Sequence, residues 1–128
     1  ISCEVKEGKN AKITTDREIL KEIILTVMDN AIIHSECSLI LLGILEIDSE
    51  NNRIKLEIAD NGKGISNVDK ELVFKVFYQN KDSFGKGTGL GLSVCATLAQ
   101  KLGGAIYIAD NSFNGCSFII ELPMEITL

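Results

Sequence analysis

The chain has no tryptophan, one proline and one histidine among its 128 residues, and its four cysteines form no CxxC pair. Each scarcity excludes something. The longest apolar run, LILLGIL at 39–45, is far short of the ~20 residues a helix needs to cross a bilayer, and the N-terminus lacks a signal-peptide pattern. A soluble, cytoplasmic domain that does not itself touch membrane is expected, whether or not its parent is anchored in the inner or plasma membrane. Cys3, Cys37, Cys95 and Cys116 lie far apart, and His34 stands alone. That spacing argues against zinc sites and disulfide frameworks and for reduced, buried thiols. Basic residues are also short: 13 Lys and Arg face 18 Asp and Glu, a formal net charge of -5. Nucleic acid is therefore not an expected partner, because phosphate backbones are met by basic surfaces. Small anions remain possible ligands through backbone amides.

The hydrophobic content, 45%, suits one domain spanning 1–128 with a real core. The chain opens mid-pattern on ISCEV without Met, as expected of a fragment of a longer protein. ISCEVKEGKNAKITTD alternates apolar and polar residues on either side of Gly-Lys-Asn, predicting two short strands. Asp16 is placed to cap a helix running to about Ser35, with Ile19, Ile23, Val27 and Ala31 on its apolar face and Glu22, Thr26, Asp29 and Asn30 on its polar side. SLILLGILEID and RIKLEIAD flank SENN and predict an antiparallel hairpin, with Ile54, Leu56 and Ile58 facing one way. NVDKELVFKVF, 67–77, has helical spacing and precedes a polar, glycine-bearing loop. A further helix ends at Gly103-Gly104, and AIYIAD with CSFIIELP, stopping at Pro123, predicts a closing hairpin. Strands outnumber helices and pair as hairpins, so the expected class is α+β, a two-layer sandwich with helices on one sheet face.

Three stretches carry candidate chemistry, each with a bland alternative. In GKGTGLGLSV, 85–94, glycines at a helix start would let backbone amides approach a phosphate; the same spacing suits a flexible turn and is no P-loop. In DNGKGI, 60–65, Asp60 at a strand end is either a solvated turn residue or a carboxylate at the bottom of a pocket, accepting a hydrogen bond from an exocyclic amine such as that of adenine. In TVMDNAIIHS, Asn30 is either a surface accident or an oxygen donor suited to Mg²⁺.

In this order, Asn30 in a long helix, DNGKGI, the phenylalanines of VFKVF, GKGTGLGLSV and GCSFIIELP resemble the catalytic ATP-binding domain of sensor histidine kinases, over nearly the whole chain. The resemblance implies a Bergerat-type fold with a mixed, mostly antiparallel sheet, shared with gyrase, mismatch-repair and heat-shock chaperone ATPases. It implies Asn30 as Mg²⁺ ligand and catalytic residue, Asp60 reading the adenine amine, and Gly62, Gly64 and Ile65 shaping the adenine pocket. Phe74 and Phe77 would anchor the base of an ATP lid. Gly87, Thr88, Gly89, Leu90, Gly91 and Leu92 would meet phosphate, and Ser117, in a Gly-x-Ser/Thr-Phe pattern, would support the adenine edge. ATP and ADP would be its ligands. In a two-component system its partners would be the parent's dimerisation and phosphoacceptor domain and a downstream response regulator.

Departures from the family pattern matter. Ile33 stands where the family often has lysine, so Lys81 or Lys86 would have to supply that phosphate contact, Lys86 being favoured by its place beside the glycines and assigned a catalytic role. His34 matches a position lining the nucleotide site and is not expected to be the phosphoacceptor, which the family carries on a separate domain. Thr26, one turn before Asn30, stands where related ATPases and anti-sigma serine kinases carry a glutamate base. A hydroxyl cannot take a proton at neutral pH, so steady hydrolysis is not expected. The implied function is transfer of the γ-phosphate to a partner's histidine, inactive without the phosphoacceptor domain. The alternative is a nucleotide-dependent interaction switch, pseudokinase or anti-sigma-like, and the third class is an interaction domain that binds no nucleotide.

Overall fold

A computed structural model describes residues 2–5, 12–34, 36–48, 50–66, 69–75, 91–110 and 115–127. Five strands form one sheet: β1 (Ser2–Val5), β3 (Leu39–Asp48), β4 (Arg53–Asp60), β5 (Ala105–Asp110) and β6 (Cys116–Pro123), in the order β1-β3-β4-β6-β5. β1 runs parallel to β3, and every other pairing is antiparallel. β2 (Lys12–Thr14) and β7 (Glu125–Thr127) make a separate two-stranded antiparallel sheet. Thus the two strands expected at the N-terminus exist but pair with other partners, not with each other. The helices are α1 (Arg17–His34), α2 (Asp69–Leu72) and α3 (Gly91–Lys101), and α1 and α3 pack together over the main sheet. This is the expected two-layer α+β sandwich.

Strand alternation builds the core. Side chains at every second position of β4 face the helices, and cross-strand partners share that face. The rows read Leu42–Ile58–Phe118–Ile108 and Ile44–Leu56–Ile120–Ile106. Ile23, Val27 and Ala31 of α1 and Leu92, Cys95 and Ala99 of α3 pack onto them. Each fully buried aliphatic contributes about 1.5–3 kcal/mol. A β-bulge in β3 between Ile44 and Glu46 keeps this face intact. Ile44 pairs with Leu56 and Ile47 with Ile54, so that Leu45 and Glu46 on one strand stand against Lys55 alone on the other. The extra residue puts exposed Leu45 outside and returns Ile47 to the core.

Local signals terminate the elements. The Asp16 carboxylate accepts from the Ile19 amide at 3.1 Å and caps α1. After α3, the Gly103 amide donates to the Gln100 carbonyl and the Gly104 amide to the Ala99 carbonyl, with Gly103 at φ 85. This is the Schellman arrangement, and the left-handed turn favours glycine. Gly104 is needed for a second reason: an added Cβ would overlap the Glu121 carbonyl oxygen of β6. The helix expected over 67–77 is shorter: α2 holds four residues, and 73–75 form a turn. Val73 and Phe74 pack onto the core through that turn, without extending the helix, while Leu72 is exposed. Free Cys95 and Cys116 are buried as expected, whereas Cys37 is only half-buried. Among the described residues no helix is long and apolar enough to cross a membrane.

Candidate functional site

The helix-facing positions of β4 are apolar until the last, where Asp60 continues the series Ile54, Leu56, Ile58 with a carboxylate only 3% exposed. Its row is Ile40–Asp60–Cys116. Burying an ionisable group is costly unless polar partners hold it. Here the Gly62 amide donates to Oδ1 at 2.9 Å, and a backbone hydrogen bond from Cys116 also favours the charged form. Desolvation outweighs both and pushes the carboxyl above its ordinary range. A carboxylate accepts up to about four hydrogen bonds, from backbone amides and ligand N–H groups alike.

The loop after β4 is built to hold this group. Asn61 Oδ1 accepts from the Ser38 and Leu39 amides, both at 3.0 Å, and its Nδ2 donates to Ser38 Oγ at 3.0 Å. The residue after Asp60 therefore pins the connection from α1 into β3. Gly64 sits at φ 74, where a side chain would be strained. Ile65 packs against the core beyond it. On the other side, Gly115 lies so close that an added Cβ would overlap the Asp60 carbonyl oxygen and come within 2.9 Å of Oδ1.

α1 links this corner to α3. A Cβ on Gly91, the first residue of α3, would lie 3.1 Å from Thr26 Cγ2, so the helix start nearly touches the turn preceding Asn30. Thr26 also neighbours Cys95, partly offsetting the burial that pushes that thiol up to about 11. Thr26 thus belongs to a helix–helix contact more than to the polar side expected of it. Asn30 is half-buried one turn on, and its carboxamide makes no hydrogen bond among the described residues. No group of three or more His, Cys, Asp or Glu lies together among those residues. A lone carboxamide oxygen fits a hard cation such as Mg²⁺, which takes few protein ligands and completes its shell with water and phosphate.

The structure therefore sets Asp60, Gly62, Gly64 and Ile65 along one strand end and loop, clasped through Asn61 to Ser38 and Leu39, and separately sets Thr26, one turn before Asn30, against Gly91. Leu92, the next residue of α3, is buried in the core. Ile33 is 48% exposed on α1. Phe74 packs edge-on to Phe118. Phe77, Lys81, Lys86, Gly87, Thr88, Gly89 and Leu90 lie outside the described residues, as does the side chain of His34, the last residue of α1. Ser117 pairs with Ala59, and alternation turns it to the sheet face opposite Asp60. Its neighbour Cys116 occupies the row of Asp60 instead. Gly115, Cys116 and Asn61 escaped the sequence reading. Their only trace there was a glycine opening GCSFIIELP, a cysteine expected only to be buried, and an asparagine inside a turn.

Comparison with known proteins places these features. The family model described as histidine kinase-, DNA gyrase B- and HSP90-like ATPase matches residues 15–126. The adaptive-response sensory kinase SasA of Synechocystis sp. is 32% identical over 111 residues, covering 85% of this chain and 28% of that protein. The sensor histidine kinase YcbM of Bacillus subtilis is 32% identical over 110 residues, covering 84% of this chain and 35% of that protein. The chain thus spans about a third or less of the relatives it matches. Among solved structures, full-length ShkA in complex with AMPPNP superposes with a TM-score of 0.79 at 28% identity, covering 96% of this chain and 25% of that one. The mycobacterial sensor histidine kinase MprB superposes at 0.77 with 26% identity, covering 98% and 82%. With a match across nearly its whole length, the chain belongs to the histidine kinase-, DNA gyrase B- and HSP90-like ATPase family, in the form found in the ATP-binding catalytic domains of sensor histidine kinases.

Proposed function

We propose that this chain binds Mg-ATP and presents the γ-phosphate to a histidine on the dimerisation and phosphoacceptor domain of its parent protein, as the first step of two-component signalling to a response regulator. The observation that carries the reading is the buried Asp60 carboxylate, closing an apolar row and steadied by backbone amides. An apolar wall with one convergent acceptor suits a flat base with an exocyclic amine. Asn30 would hold the cation, which when bound supplies positive charge to the phosphate oxygens. The start of α3 at Gly91, with the glycines before it, would offer backbone amides to the phosphates. Positioning and charge neutralisation do most of the work in phosphoryl transfer, and the nucleophile comes from the partner domain.

Thr26 separates this reading from steady ATP hydrolysis, because its side chain is engaged in the α1–α3 contact and offers no carboxylate there. The competing reading is a nucleotide-dependent switch that binds without transferring. Calorimetry with Mg-ATP tests binding. Asp60→Asn should weaken it by about 10-fold or more, the worth of a charge-assisted hydrogen bond, while Asn30→Ala should remove the dependence on Mg²⁺. Labelled ATP and the intact parent test transfer. Phosphohistidine supports the kinase, binding without label supports the switch, and no binding heat in wild type overturns both.

A further inference from the structure

Resting on the reading of Asp60 as the base-recognising group, we infer that the Gly115–Cys116 corner of β6 is a positioning element that aims the Asp60 carboxylate and thereby sets the discrimination among purines. Gly115 lacks the one atom that would strike the Asp60 backbone: a Cβ there would overlap the carbonyl oxygen, lie 2.8 Å from its carbon, and stand 2.9 Å from Oδ1. No rotation of a side chain relieves such a clash, because two of the three struck atoms are backbone. Any residue but glycine must shift the end of β4, and the carboxylate with it. One residue on, Cys116 is the antiparallel partner of Asp60, and its backbone hydrogen bond holds the carboxylate from the strand side while the Gly62 amide holds Oδ1 from the loop side. Two donors on different segments fix the orientation of a planar group that one donor would leave free to swing.

The consequence is directional. A carboxylate aimed at the base accepts from the 6-amino group of adenine and opposes the 6-carbonyl of hypoxanthine, so ATP is preferred over ITP. Displacing the carboxylate should cost ATP its bond and relieve ITP of the opposing charge. A glycine needed only for folding would weaken both nucleotides alike.

The test is calorimetry of the full chain with Mg-ATP and Mg-ITP for wild type, Asp60→Asn, Gly115→Ala and the double variant. The expected result is a wild-type preference for ATP of about 10-fold or more, reduced by at least half on a logarithmic scale in Gly115→Ala, with no further loss when Gly115→Ala is added to Asp60→Asn. Preserved preference in Gly115→Ala beside a collapsed one in Asp60→Asn overturns this inference alone. Preserved preference in Asp60→Asn overturns the underlying reading and the inference with it. Should Gly115→Ala not fold, an ester replacing the backbone amide at Cys116 removes the donor without adding an atom. It should lower the ATP preference about 3-fold or more, and an unchanged preference overturns the inference.

Discussion

The ring of Phe118 is 1% exposed at the middle of the sheet, in the row Leu42–Ile58–Phe118–Ile108. Phe74, in the turn after α2, meets it edge-on with ring centroids 6.2 Å apart and planes at 89°. That contact pins the residue that leads into the glycine-bearing segment onto the core. Truncating Phe118 to alanine would cost about 3–5 kcal/mol, a large share of the ~5–15 kcal/mol available to a domain, and would confound the measurement. Leucine at each position retains most of the volume at a cost usually below about 1.5 kcal/mol. The edge-to-face term should then emerge from the cycle of Phe74→Leu, Phe118→Leu and the double variant as a coupling of about 0.5–1.5 kcal/mol. Equilibrium urea unfolding measures it. Phe74→Leu alone should also weaken Mg-ATP binding if the turn anchors a lid. A coupling below about 0.3 kcal/mol, with additive midpoints, would refute the view that this pair joins the turn to the core.

Three further outcomes follow from particular contacts. Because burial raises the Asp60 carboxyl above its unfolded value of 3.8, the native state takes up that proton first as pH falls, so the group's contribution to stability is largest below 3.8 and is lost as pH rises through the folded value. The stability difference between wild type and Asp60→Asn, followed by urea unfolding from pH 7 to 4, should therefore move in favour of wild type on acidification, and a flat difference would contradict it. Asn61→Ala removes the acceptor for the Ser38 and Leu39 amides and should destabilise by about 1–2 kcal/mol, with water recovering part of the loss; a shift under about 0.3 kcal/mol would show that the tie contributes little. Gly104→Ala places a Cβ against the Glu121 carbonyl and 2.7 Å from Leu122 Cδ2 and should cost about 1–3 kcal/mol as overpacking, read as a lowered Tm at unchanged urea m-value.

Much of the candidate site was legible because its residues fall in short stretches. DNGKGI declared a strand end followed by a glycine turn, and the structure sets Asp60 and the positive-φ Gly64 in those places. The asparagine of α1 was legible from its helix and its neighbours. What local patterning could not reveal lay in register. Whether Ser117 or Cys116 shares a face with Asp60 depends on which residue of β6 stands opposite Asp60, and a slip of one residue would exchange them. The same holds for the bulge that turns Leu45 outward, and for β1 and β2, whose partners are distant in sequence.

The sequence by itself determined the two-layer class, the capped helix α1, both antiparallel hairpins of the main sheet and the candidacy of Asn30 and Asp60, since periodicity, capping and turn chemistry act over a few neighbouring residues. Tertiary structure alone decided that Gly115 abuts Asp60, that Thr26 meets Gly91 and Cys95, and that Asn61 clasps the start of β3. These are close approaches between segments distant in sequence. They are set by how the sheet registers and how the helices settle on it, and no local pattern encodes that distance.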